Sequence, residues 1–129
     1  MLKTTLMAGI GGFAGTCLRF LSEKIGSFLC PSAFPLGTFM ANMLGCLLIG
    51  AIYGYLSQSG KLSKENNALW IAGFCGGFTT FSAFSAEMLQ MIEDGHYSLL
   101  SLYLTASIVL GITLVAIGSS IKFKSALKQ

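Results

Sequence analysis

The chain has 129 residues, of which 53% are hydrophobic and 10% charged, with a formal net charge of +3 and a mean hydropathy of +0.73. Soluble domains carry about 25% charged residues, so this composition argues against a water-soluble fold. The charge is small and scattered, with no basic run, which excludes the usual footprint of a nucleic-acid binder.

A helix crosses the hydrocarbon core with about 20 mostly apolar residues. Four segments satisfy this, over about 2–21, 36–56, 68–92 and 97–123. The expectation is an all-α membrane protein, a single domain over 1–129 with four transmembrane helices. The connections between them hold Pro31 and Pro35, the polar string SQSGKLSKENN over 57–67, and the tight turn EDGH over 93–96. The helices read as apolar nearly all round, whereas a soluble bundle would give each helix a polar face. No cleaved leader is expected, because the first apolar segment lacks an A-x-A site and carries Arg19. With both termini cytoplasmic, Lys3, Lys61, Lys64, Lys122, Lys124 and Lys128 lie inside against Arg19 and Lys24 outside, a bias of six to two.

In the first span, Gly11 and Gly15 form a G-x-x-x-G pair that lets another backbone approach closely. The string Gly9-x-Gly11-x-x-Ala14 has the form of a dinucleotide fingerprint, but no strand precedes it and no βαβ unit follows. Arg19 has two readings: it snorkels to the interface, or it stands at a pore mouth and attracts anions. Cys17, Cys30, Cys46 and Cys75 are widely spaced, with no C-x-x-C pair and His96 as the sole histidine. No zinc or redox site is expected from them.

The second span places Thr38 and Asn42 at i,i+4, with Gly45 continuing the same face. A buried amide in hydrocarbon needs partners, so this face reads either as interhelical glue or as a polar line along a path. The third span runs AGFCGGFTTFSAFSAE over 72–87. Gly76-Gly77 followed by Thr79-Thr80 makes a poor continuous helix, since glycine costs about 1 kcal/mol relative to alanine. A break near the middle of this span is expected, and the carbonyls it frees suit a hard cation such as Na⁺. Phe81 and Phe84 follow at i,i+3 on one face, with Ser82 and Ser85 offset and Glu87 toward the far end. The fourth span adds Tyr103 and Ser107 at i,i+4.

GGFAGTCLRF, GTFMANMLGCLLIG and GFCGGFTTFSAFSAE together resemble the Fluc (CrcB) family of fluoride channels over essentially the whole chain. The resemblance implies an antiparallel, dual-topology homodimer with two fluoride pores at the subunit interface. It implies a structural Na⁺ at the dimer centre, held by the backbone carbonyls of Gly76 and Thr79. It implies pore residues Phe81, Phe84 and Asn42, with Tyr103, Ser107, Thr38, Thr80 and Ser82 on a polar track and Arg19 at the vestibule. The lysine bias leans toward one orientation, whereas the resemblance implies both.

Fluoride is strongly hydrated, so a pore must replace its water with donors. Asn42 and the hydroxyls donate, and the phenyl edges of Phe81 and Phe84 are electropositive. Chloride is then rejected by size, and cations by a path without carboxylates. The resemblance implies the role: passive exit of cytoplasmic fluoride across the bacterial inner or plasma membrane, conferring fluoride resistance. No catalytic constellation is present in the sequence, so an enzyme is not expected. Two other readings compete: a small multidrug-type proton-coupled exporter, which needs a carboxylate inside the first span, and a non-transporting structural subunit of a membrane complex.

Overall fold

The computed structural model describes residues 1–123, so Lys124 and Lys128 of the charge count lie outside the described residues. The described residues form helices joined by short connections, with no strand among them. α1 spans Leu2–Leu29 and α2 spans Leu36–Gln58. α3 denotes the run 64–78, built of a first turn Lys64–Asn66, a π-helical stretch Asn67–Cys75 and a last turn Gly76–Phe78. α4 spans Phe81–Glu93 and α5 spans Tyr97–Ser119.

By length and composition, Leu36–Gln58, Lys64–Glu93 and Tyr97–Ser119 qualify as membrane-crossing helices. α1 has the length, about 42 Å at 1.5 Å per residue. Its glycines, threonines and Arg19 dilute its apolar character. It also runs past the apolar stretch to Leu29. Gly26 seats on the backbone of Gly37, and nothing stops the helix before Pro31. α5 ends at Ser119, short of Phe123.

Two turns are closed by glycine in the left-handed region. Gly60 has φ 67° and Gly95 has φ 74°. After α4, the Gly95 amide donates to Ile92 O at 3.1 Å and the His96 amide to Met91 O at 2.8 Å. After α2, the Lys61 amide donates to Leu56 O at 2.9 Å. Both are the six-to-one closures that satisfy the last helical carbonyls, and both require the conformation that glycine adopts without a Cβ penalty.

α1 packs on α3 and α2 on α5. The α1–α3 seam is a glycine interlock. A Cβ on Gly11 would strike the Leu69 carbonyl, one on Gly15 the Phe74 carbonyl, and one on Gly77 would reach Gly12 O at 2.5 Å. The α2–α5 seam repeats the device with Gly50 against Val115 O and Gly118 against Leu47 O. In hydrocarbon, where no hydrophobic force pulls helices together, close backbone approach of this kind supplies the van der Waals contact that does.

The buried core is small. Phe84, Met91 and Tyr103 form its centre, and Phe34 from the α1–α2 connection packs edge-on against Tyr103 at 5.4 Å between ring centroids. By contrast Phe13, Phe28, Phe81 and Ile112 are 69–85% exposed. A single chain with so much apolar surface needs lipid or another protein around it.

Candidate permeation site at the break between α3 and α4

Helix stops at Phe78 and resumes at Phe81. Thr79 (φ −88°, ψ 156°) and Thr80 (φ −149°, ψ 121°) between them are extended. Each loose end is tied by a side chain. The Thr79 amide and hydroxyl both donate to Cys75 O at 2.9 Å. The Thr80 hydroxyl accepts from the Ala83 amide at 3.1 Å, capping α4 in the manner of an N-cap threonine. Asn42, reaching across from α2, clamps the Thr80 backbone. Its Oδ1 accepts from the Thr80 amide at 2.8 Å and its Nδ2 donates to Thr80 O at 3.1 Å. From the other side, Arg19 Nε donates to Gly77 O at 3.0 Å, and its Nη1 donates to Glu23 Oε1 at 3.1 Å.

These ties decide which carbonyls stay free. In an unbroken helix, Gly76 O would accept from the Thr80 amide and Thr79 O from the Ala83 amide. Here the first amide is turned to Asn42 and the second to the Thr80 hydroxyl. Gly76 and Thr79 therefore present hard oxygen donors without helical partners, and Gly76 is exposed. The chemistry of this pair fits Na⁺.

Beside the break lies an open groove of about 430 Å³, bordered by Asn42, Thr79, Thr80, Phe81, Phe84 and Ser107. The sequence treats Phe81 and Phe84 alike, but the structure separates them. Phe84 is 6% exposed and stacks obliquely on Tyr103 at 4.9 Å between centroids. Phe81 is 78% exposed, its ring 6.0 Å from that of Phe84. Ser82 is exposed, with its hydroxyl 3.2 Å from that of Thr80. Arg19 is not among the residues lining the groove.

Thr38 and Tyr103 stand apart from the groove, behind Phe84. Both donate to one residue that sequence reasoning left aside, Glu87: the Thr38 hydroxyl to Oε1 and the Tyr103 hydroxyl to Oε2, the latter at 2.7 Å. A carboxylate therefore lies in contact with two of the residues that the resemblance puts on a polar track. The cause is helical geometry. Residues 84, 87 and 91 follow one another along a single stripe, and Phe84 and Met91 are both buried, which carries Glu87 inward with them. That stripe was the available signal. A second cavity of about 260 Å³ opens from Glu87 toward Glu23, Ser27 and Ser32.

The α2 face Thr38, Asn42, Gly45 meets Glu87, Thr80 and Thr79 in that order. The Thr79 methyl occupies the space a Cβ on Gly45 would need. The face is interhelical glue, and of the two Asn42 amide hydrogens one is spent on Thr80 and the second is left over.

Residues 6–119 match the family model described as CrcB-like protein, Camphor Resistance (CrcB). A protein of Azobacteroides pseudotrichonymphae named fluoride-specific ion channel FluC is 41% identical over 118 residues, covering 92% of this chain and 94% of the relative. One of the same name from Oceanobacillus iheyensis is 44% identical over 118 residues, covering 91% and 89%. Another, from Flavobacterium psychrophilum, is 38% identical over 111 residues, covering 86% and 90%. The matched stretch takes in Arg19, Asn42, the break, Glu87 and Tyr103, and the chain belongs to the CrcB family.

Proposed function

We propose that this protein is a fluoride channel of the bacterial inner or plasma membrane, multi-pass, which lets cytoplasmic fluoride leave passively and so confers resistance to it. The observation that carries the reading is the groove at the break. It joins an amide hydrogen of Asn42, the Ser107 hydroxyl, the rings of Phe81 and Phe84 and the N-terminal turn of α4 on one wall. First-turn amides of a helix lack carbonyl partners and carry the positive end of its dipole, so they favour an anion. Phenyl edges add weak positive potential without binding water. Such donors replace the hydration of a small, strongly hydrated anion.

The path continues past Phe84 to the hydroxyls of Tyr103 and Thr38, with Thr80 and Ser82 at the groove's polar edge. Glu87 holds the Thr38 and Tyr103 hydroxyls in place. It also makes exclusion of cations a matter of the donors that line the groove rather than of missing carboxylates. Export needs no coupled energy source, because a membrane potential negative inside favours anion exit by about 2.3 kcal/mol per 100 mV.

The working unit in this proposal is an antiparallel homodimer with two pores. Phe81, so exposed beside an open groove, supports a second copy that covers it. The same dimer brings the Gly76 and Thr79 carbonyls of both subunits around one Na⁺, whose positive charge would hold the two breaks together. A carboxylate-gated exporter is disfavoured because α1 has no acidic residue before Glu23, and Glu23 is paired with Arg19.

The test is fluoride efflux from proteoliposomes, followed with a fluoride electrode, with chloride efflux in parallel and Phe81→Ile as the variant. Fast fluoride efflux, negligible chloride efflux and loss of at least about tenfold in the variant are expected. Chloride efflux comparable to fluoride would sink the proposal.

A further inference from the structure

We propose that Arg19 is a positioning residue: it ties off the α3 helix at Gly77 and thereby sets where the break falls, and its positive charge is not there to attract anions. The inference rests on the channel reading for one of its readouts.

Three observations meet at this side chain. First, its Nε donates to the Gly77 carbonyl at 3.0 Å. In a continuous helix that carbonyl would accept from the amide of Phe81, which the extended Thr79–Thr80 pair carries away. An orphaned carbonyl at membrane depth is costly, and Arg19 removes that cost at one residue. Second, the charge is already answered. Glu23 lies 3.1 Å from Nη1, one helical turn on, and the two side chains are 24% and 31% exposed. A guanidinium with its counter-charge in place presents a dipole to an approaching anion, not a net charge. Third, the strap spans a fixed gap. Gly77 is pressed on Gly12, whose carbonyl would lie 2.5 Å from a Cβ at that position. α1 and the end of α3 are thus in backbone contact, and Arg19 bridges them about two turns further along α1.

The strap is one of a pair. Asn42 holds the far side of the break through the amide and carbonyl of Thr80. Arg19 on α1 and Asn42 on α2 fix the two ends of a four-residue stretch. Phe81, whose ring borders the groove, follows directly from it.

Side-chain length gives a test that separates bond from charge. Gln Nε2 sits the same number of bonds from Cα as Arg Nε, so Arg19→Gln keeps a donor for Gly77 O and discards the charge. Lys carries a methylene at that place, so Arg19→Lys keeps the charge and loses the donor. Wild type, Arg19→Gln and Arg19→Lys are compared in the same liposomes for fluoride efflux, and in detergent for amide hydrogen exchange over residues 76–83. The expected result is efflux within about threefold of wild type for Arg19→Gln and a loss of about tenfold or more for Arg19→Lys. Exchange over 76–83 should quicken about tenfold in Arg19→Lys alone.

The reverse order, or equal behaviour of the two variants in both measurements, overturns the proposal, as does an Arg19→Gln protein that fails to fold when Arg19→Lys folds. If wild type itself moves no fluoride, the channel reading fails. The exchange measurement then still decides the role of Arg19.

Discussion

Glu87 accepts from two hydroxyls on two different helices, Thr38 on α2 and Tyr103 on α5, and both donors are almost fully buried, at 3% and 0% exposed. Deleting the carboxylate leaves two donors without acceptors, each at a cost of about 1–3 kcal/mol. Glu87→Ala should therefore lower the thermal unfolding midpoint in detergent markedly. Glu87→Gln, which keeps one carbonyl oxygen, should lower it by less. Equal midpoints for Glu87→Ala and wild type would mean that Thr38 and Tyr103 find other acceptors. The i,i+4 spacing made the common face of Thr38 and Asn42 legible in the sequence. Glu87 was not, because a carboxylate five residues from the end of an apolar run reads equally well as an interfacial anchor. Its direction follows from the burial of Phe84 and Met91 on its stripe, and burial is a tertiary property.

At the scale of elements, glycines that look alike in sequence divide by what they touch. Gly9 has nothing within 4 Å of the place a Cβ would take, whereas Gly15 faces the Phe74 carbonyl and the Phe78 amide at bonding range. Gly9→Ala should leave stability unchanged or raise it by up to about 1 kcal/mol through helix propensity. Gly15→Ala must push α3 off α1 and should cost about 1–3 kcal/mol. Thermal unfolding of the two single variants checks the contrast, and matching midpoints would mean that the seam has slack. The division was half legible: the G-x-x-x-G spacing picks out Gly11 and Gly15 and leaves out Gly9. The extended residues at 79 and 80 follow a Gly-Gly pair of low helix propensity, a local signal. The π-helical stretch Asn67–Cys75 has no such signal. It lies against the α1 glycines, whose lack of side chains leaves room for a wider helix, so its cause is in a neighbouring element.

The whole molecule raises the question of what covers the groove. Its lining runs from Asn42 to Ile49 on α2 and from Ser107 to Val115 on α5, centred near the middle of both helices. A patch at mid-depth can meet its own copy across a two-fold axis lying in the membrane plane, which makes the contact isologous and the two chains antiparallel. A parallel pair, related by an axis along the membrane normal, has no reason to centre its contact at mid-depth. Charge argues the other way, since Lys3, Lys61, Lys64 and Lys122 lie toward one side of the membrane and Arg19 and Lys24 toward the other. Arg19 is neutralised by Glu23, and the Lys3 ammonium lies 4.0 Å from Glu65, so the free positive charge that orients insertion is smaller than the residue count. The expectation is two populations in the cell. With the four native cysteines replaced and Ser59→Cys placed in the α2–α3 loop, a membrane-impermeant maleimide added outside should label about half of the protein, the remainder only after lysis. Labelling of all of it, or of none, would establish a single orientation. The groove would then have to be closed by a parallel copy, and the two breaks would face the same leaflet instead of each other.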